Sequence, residues 1–523
     1  MVTTEVALRP LQEQRRATTT IVEGVWLSCA LTPLVILIHG YHPYAEDGGV
    51  YLAGAKRLLD PRLYPHLPGF VTTHLQFSLF APAMAALVRA THLGLLPVLF
   101  GVYAASIWLT LFSGWMVAKQ WVPRTRARCG AVCVLAMSLT APVAGTSLML
   151  MDPYVTARSI STPLGLLALA AALKIADALQ YSRVEWKAIA ACVGSLAIAA
   201  AAHPLMAAYS LSCVVVLVCV SIPQRTARMM ATGTACCMAV LLAGCLQWLG
   251  PKEAGAYGEV ARTRTYWFLS NWQWYELFGL VAPVAVLAIL ARLRSGEENR
   301  AERQLAWMAV ICGAVATAIV VLFVRADATN YLVAELQPLR VYQMIYAVMF
   351  LAIGAFLAER YLKASAVRWI ALMTITGGCM LLVQHETFPD SAHIELPGKT
   401  PANAWEQAFT WVRTHTAKDA LFALDANYIT APGEDAQNFR AIAERSSLPD
   451  FAKDGGIASI APELTREWLD GEVVQRGLNN GVGPGDIAQL RARGVGWVIV
   501  LRTTPAMLPC VYANNTVKIC RLP

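Results

Sequence analysis

The chain has 523 residues, of which 57% are hydrophobic and only 15% charged, with a mean hydropathy of +0.49. Soluble domains carry about 25% charged residues, so a single soluble domain is excluded and a polytopic membrane protein is implied. The net charge of +8 does not point to nucleic acid, because the basic residues sit in short loops between apolar runs, where topology accounts for them.

The first apolar run, 24–40, follows Arg9, Arg15 and Arg16. It is long for a signal-peptide core and lacks a clean small-x-small site after it, so a retained anchor is expected. Further runs of spanning length fall at 95–118, 129–150, 161–178, 188–203, 206–222, 229–250, 273–291, 304–324, 339–358 and 368–385. Each is near the ~20 residues a bilayer needs, two of them (188–203 and 206–222) being short. The stretch 72–92 contains Thr72, Thr73, His74, Gln76, Pro82 and Arg89, and either crosses or lies at the interface.

Loop charge decides between these counts. With 72–92 left out and the N-terminus in the cytoplasm, nearly every compact basic cluster falls on one side. These clusters include Arg124 to Arg128, Arg183 with Lys187, Arg225 with Arg228, Arg292 with Arg294, Arg300 and Arg303, and Arg360 with Lys363 and Arg368. Eleven crossings are expected, with the C-terminus outside. The expected divisions are a cytoplasmic tail (1–23), a transmembrane domain (24–385) with outer loop 41–94, and an exported domain (386–523).

The outer loops carry the candidate chemistry. The first begins Tyr41-His42-Pro43-Tyr44-Ala45-Glu46-Asp47-Gly48-Gly49-Val50-Tyr51. A carboxylate at a membrane edge is costly unless solvated, paired or used. Asp47 is either the cap of a short interfacial helix or a general base for an acceptor hydroxyl. With Glu46 it also offers oxygen ligands for a divalent cation.

In the second outer loop, Asp152-Pro153 ends one helix and Ser161-Thr162-Pro163 begins the next. Asp152 is a stop signal or a second acidic group. Arg158 and Arg340 lie just before outer helix starts, where a phosphate can meet an arginine and free backbone N–H groups. Snorkelling to lipid headgroups is the plain alternative. Tyr266, Trp267, Trp272, Trp274 and Tyr275 form an aromatic belt or a sugar-stacking surface. His203, Tyr51 and Gln337 are further cavity candidates, His203 being equally readable as a core histidine.

From about residue 400 the texture changes. An amphipathic helix over 403–416, short strands at 420–424 and 495–501, and helices near 464–478 and 485–493 suggest a small α/β domain. The charged stretches 433–446 and 453–456 read as solvated surface, or as an element capping the membrane site. Eleven of the 13 cysteines lie in or beside apolar runs and act as small hydrophobes. Cys510 and Cys520 flank two strands about an Asn-Asn turn and form a candidate disulfide if this end is exported.

Glu46-Asp47 with Tyr51 directly after the first crossing, many spans, a second acidic outer loop and a C-terminal α/β domain together resemble the GT-C superfamily of integral-membrane glycosyltransferases. The stretch from Trp405 to Asp454, with Phe439-Arg440, Arg445 and Lys453-Asp454, looks like the tails of bacterial members. The resemblance implies a polyprenyl-phosphate-linked sugar as donor, an acceptor of unspecified kind and a site on the outer face of a bacterial plasma membrane. By its pattern Asp47 is the base or a metal-site carboxylate, Asp152 a second acid and Arg340 a contact to lipid phosphate. A divalent cation, Mg or Mn, is the cofactor it suggests. No WWDYG-like motif is present, which argues against an oligosaccharyltransferase. Glycine follows Glu46-Asp47, where the mannosyltransferases carry an acidic residue paired the other way round. The rival readings are a transporter or flippase for a lipid-linked substrate, and a membrane scaffold.

Overall fold

The computed structural model describes residues 2–252, 255–293, 299–431 and 434–523, with only the backbone for 2–18. The side chains of Arg9, Arg15 and Arg16, together with Arg294 and Gly433, lie outside the described residues.

The N-terminal run is a single helix, α1 (Val2–His39), apolar over Thr19–His39. The chain then forms α2 (Glu46–Leu59), α3 (Gly69–Thr72) and α4 (Phe80–Thr91). The last two, with the tight turn Thr73–Gln76 between them, are bent by 96°. The 72–92 stretch is therefore not a straight span. Ser78 stabilises the break, its hydroxyl accepting from Phe80 N at 3.1 Å while donating to Ala202 O.

The bundle continues with α5 (Leu95–Ala118), α6 (Thr125–Met137), α7 (Arg158–Gln180), α8 (Trp186–Ala202), α9 (Pro204–Val220) and α10 (Arg225–Leu249). After α11 (Ala256–Thr263) come α12 (Trp274–Leu293), α13 (Arg300–Phe323), α14 (Leu332–Leu336), α15 (Tyr342–Leu357) and α16 (Ala366–Thr387). Among the described residues eight helices are long and apolar enough to cross a membrane, and α8 and α9 are shorter apolar helices.

The expected span 129–150 is corrected by the structure. Its helix stops at Met137, and 138–157 is a buried loop with an isolated bridge between Pro142 and Met149. Pro142 lacks an N–H to continue a helix, and distant side chains satisfy the freed carbonyls. His39 bonds Ala136 O at 2.8 Å and Thr140 Oγ1 at 2.7 Å. Gln343 of α15 donates to Leu150 O at 3.0 Å and Met149 O at 3.3 Å. Irregular backbone is tolerated in this way where protein rather than lipid surrounds it.

The centre of the bundle is α7, buried along most of its length against α5, α8 and α9. α6 meets α15 at Gly130 and Gly354, where a Cβ on either would stand within 2.5 Å of the other's carbonyl oxygen. Small residues of this kind let helices approach closely. By contrast α10 and α16 leave nearly all their apolar surface uncovered, including Leu241, Leu242, Ile370 and Leu382. Helices this apolar and this exposed are solvated by lipid, not water.

The tail is a small α/β domain. It contains α17 (Ala404–His415), β1 (Leu421–Leu424), α18 (Phe439–Ala443), β2 (Ser446–Ser447), α19 (Lys453–Ala458), α20 (Thr465–Gln475), α21 (Pro484–Ala492), β3 (Trp497–Leu501), β4 (Cys510–Ala513) and β5 (Val517–Arg521). The strand order is β2-β1-β3-β5-β4, with β1 parallel to β2 and β3, and β5 antiparallel to both its neighbours. Asn403 caps α17 by accepting from Trp405 N and Glu406 N at 2.8 and 3.2 Å, so Trp405, Phe409 and Val412 are buried on one face. A disulfide joins Cys510 to Cys520 across the terminal hairpin.

Candidate active site

The tail rests on loops at one end of the bundle. Arg264 donates to Phe451 O and Ala452 O at 3.0 and 2.6 Å, and Tyr257 donates to Ser459 O at 2.8 Å. α2 is held beneath it. Lys56 pairs with Glu444 at 2.7 Å, Tyr64 donates to Arg440 O at 2.8 Å, and Asn438 N donates to Tyr44 O at 3.2 Å. The glycines after Glu46-Asp47 make this contact possible. A Cβ on Gly48 would stand 2.9 Å from Tyr154 Cβ, and one on Gly49 would stand 2.3 Å from Asn438 Cβ. The first turn of α2 is thus pressed between the second loop and the tail.

Asp47 does not cap that helix. The N-cap is Ala45, without a side-chain cap bond. Asp47 Oδ2 instead accepts from Arg158 Nη1 at 3.0 Å, and its Oδ1 accepts from Lys453 Nζ at 3.3 Å. Lys453 also pairs with Glu46. Asp152 accepts from Arg158 through Nη2 at 2.9 Å and Nε at 3.2 Å, and its Oδ2 lies 3.5 Å from the Thr156 hydroxyl. Three carboxylates thus share two cations contributed by α7 and the tail.

This arrangement separates the two acids. Burial alone would raise the Asp47 carboxyl, but Lys453 and then Arg158 hold it well below the usual carboxylate range. Asp152, buried more deeply and next to the Asp47 charge, is pushed up despite Arg158. A pair of acids driven apart by their surroundings is a common mark of acid–base chemistry. Lys453, the ammonium between Glu46 and Asp47, is held above its ordinary value by both carboxylates, against the burial that would lower it.

The remaining sequence-predicted residues gather around this cluster. Tyr51, one turn along α2, has its hydroxyl pushed up to about 12, first by burial, and its ring stands edge-on to His74 and Phe80. His203 links α8 to α9 and accepts from Met206 N at 3.5 Å. Burial first, then the Arg158 and Arg340 charges, lower its imidazole to about 3, so it is neutral. Arg340 stands in a recess walled by Tyr266, Trp267, Trp272 and Gln337. Three polar atoms there are buried without a partner: Arg340 Nε, Gln337 Oε1 and Trp267 Nε1. Trp274 and Tyr275 are largely exposed and stay out of the site, as a membrane belt would.

Beside the cluster opens a cavity of about 710 Å³. Glu46, Asp152, Tyr154, Tyr266, Glu276 and Gln437 are among its walls. Tyr266 belongs both to this cavity and to the Arg340 recess.

A divalent cation was tested against the oxygens present. Such an ion takes six or more oxygen ligands. Both oxygens of Asp47 and Oδ2 of Asp152 already accept from cationic side chains, and Glu46 is paired with Lys453. Among the described residues no group of three or more His, Cys, Asp or Glu is placed to hold a metal ion. The donor set as arranged does not fit one.

The site residue not singled out from sequence is Lys453, whose run was read as solvated surface or as an element capping the membrane site. Its signal was the Lys453-Asp454-Gly455-Gly456 run, which looks like a solvated turn until the tail folds over α2.

The fold and site together define a polytopic helical membrane protein with a C-terminal α/β domain set over a charged pocket. No protein-family model and no curated protein matches the chain. Among solved structures it is similar to a single-particle cryo-EM structure of the arabinofuranosyltransferase AftD from Mycobacteria, with a TM-score of 0.49 and 14% identity over 95% of this chain and 41% of that one. The chain therefore spans less than half the length of that protein.

Proposed function

We propose that the protein is an inverting glycosyltransferase that moves a sugar from a polyprenyl-phosphate donor to an acceptor hydroxyl at the outer face of the membrane. The observation that carries this reading is the ionised Asp47, held by Arg158 beside a 710 Å³ cavity, with Arg340 in an adjoining recess. In the proposed reaction the acceptor oxygen attacks the anomeric carbon and the bond from that carbon to the phosphate oxygen breaks. The acceptor proton passes to Asp47, and the polyprenyl phosphate leaves with the bonding electrons. Arg340, with its unused Nε–H, and Arg158 would meet the charge developing on the leaving phosphate.

A carboxylate paired twice is a weak base. Donor phosphate competing for Arg158 would loosen one of those pairs and make Asp47 more basic when acceptor and donor are both bound. The test is sugar transfer by purified protein offered a panel of polyprenyl-phosphate sugars. Asp47→Asn is expected to lose transfer at least 1,000-fold, within the range of a general-base contribution combined with lost orientation, while the folded protein is retained. Turnover by Asp47→Asn near the wild-type rate would overturn the reading.

A further inference from the structure

We propose that the ε-ammonium of Lys453 takes the seat of a divalent cation at the Glu46–Asp47 pair, so that this site is independent of metal and receives its cation from the tail. The inference deepens the glycosyltransferase reading, but its first test needs no turnover.

Two adjacent carboxylates that converge on one point repel each other, and a cation between them relieves that repulsion. Lys453 supplies it, bonding Glu46 and, at 3.3 Å, Asp47 Oδ1. Its side chain is only 17% exposed. An ammonium is a compact point charge, suited to lie between two oxygens as a small metal ion does. Lys453 and Arg158 together bring two positive charges to Glu46, Asp47 and Asp152, the same charge a divalent ion would bring.

The lysine is not a mobile surface group that happens to fall there. Asp450 Oδ1 accepts from its backbone N–H at 2.6 Å. Asp454, the next residue, is locked to Arg440 by bonds of 2.6 and 2.8 Å and also accepts from Asp450 N at 2.8 Å. Gly455 packs so closely that a Cβ would stand 2.7 Å from Arg264 and 2.9 Å from the Trp468 ring. The start of α19 is fixed on three sides, and Lys453 is aimed at α2.

The experiment titrates Mn²⁺ alone into the purified full-length protein and reads binding by electron paramagnetic resonance. Wild type is expected to show no saturable site that depends on Glu46. Lys453→Met is expected to gain one saturable Mn²⁺ site, which Glu46→Gln added to that variant removes, while Lys453→Arg gains none. A folded Lys453→Met that binds no Mn²⁺ would overturn the proposal. So would a wild-type Mn²⁺ site abolished by Glu46→Gln, a result that stands even if the Lys453 variants fail to fold. With turnover as a second readout, a chelator is expected to leave the wild type unchanged, and Mn²⁺ to raise Lys453→Met at least 10-fold. Absence of turnover from every form would count against the transferase reading alone, since Mn²⁺ binding is read without substrate.

Discussion

Two groups of acids meet the tail, and they differ in how their charge is handled. Asp152 is buried while Glu46 and Asp47 keep about half of their side-chain surface, and in the second group Glu406 and Asp435 are buried. Glu46, Asp47 and Asp152 lie among Lys453 and Arg158, and Asp47 keeps its charge. Glu395, Glu406 and Asp435 lie where the chain leaves α16 and enters the tail, and among the described residues no lysine or arginine pairs with Glu395. Its partner is His42, at 2.9 Å, whose imidazole burial lowers to about 4, leaving it neutral. Glu395 is pushed up to about 8, by burial first and also by the Asp435 charge, and Glu406 is raised by burial and by Glu395. Glu395 and Glu406 hold protons and bond one another. The contrast teaches that burial by itself does not mark a reactive carboxylate in this molecule. The mark is a partly exposed carboxylate, Asp47, kept ionised by cations brought from other parts of the chain.

The largest expected effect tests what supports the first group. Asp454→Ala leaves Arg440 buried without its partner, and removing half of such a pair costs about 3–5 kcal/mol. A thermal melt of the variant should show that loss, and a change within 1 kcal/mol would mean that Lys453 is not held as described. Next is Gly49→Ala, which drives a methyl against Asn438 and the Tyr44 carbonyl, 2.3 and 2.6 Å away. Overpacking of this kind costs about 1–3 kcal/mol. Transfer should fall along with stability, because the same contact positions Asp47.

The third prediction sets the two groups apart by pH. A carboxyl raised by folding gives stability that is full below its unfolded value and is lost as pH rises through its folded value. Glu395 should therefore weaken the junction as pH climbs from about 4.5 to about 8, and Glu395→Gln should flatten that part of a melting-temperature profile. Asp47 runs the other way. Its contribution is present above about 3.8 and is lost only as pH falls further, so the acid limb of kcat/KM, which reports the free enzyme, should not reflect Asp47 near pH 4. The smallest effect is expected from His42→Phe, which keeps the stack on Phe388 at 3.9 Å and removes the bond to Glu395. With both groups neutral it should cost about 1 kcal/mol, read in the same melts.

Much of the bundle was legible because apolar runs of spanning length have few other uses. The half-helix at 129–150 was not, since 138–150 is as apolar as a span. Pro142 is the local signal for the break, and the bonds from His39 and Gln343 that support the loop after it lie outside any local window. In the site, Asp47, Asp152 and Arg158 could be suspected from their loops, and the structure brings them within hydrogen-bonding distance. The 403–416 helix and the terminal hairpin were legible from amphipathic spacing and the Asn-Asn turn. Lys453 was hidden because it is 406 residues from Asp47, and a lysine beside aspartate and two glycines has the local texture of solvent-exposed surface.

The glycine pair behind Asp47 has a consequence for how this chain can be taken apart. α2 belongs to the membrane half by sequence but is wedged against the tail through Gly49, Lys56 and Tyr64. Cutting at residue 386 would therefore not release two modules. It would leave a membrane half in which Glu46 has lost its cation and Asp47 keeps only Arg158, and a tail whose Lys453 has lost both carboxylates. Domain swaps between related chains should be designed to carry 41–64 together with the tail, as one inherited unit.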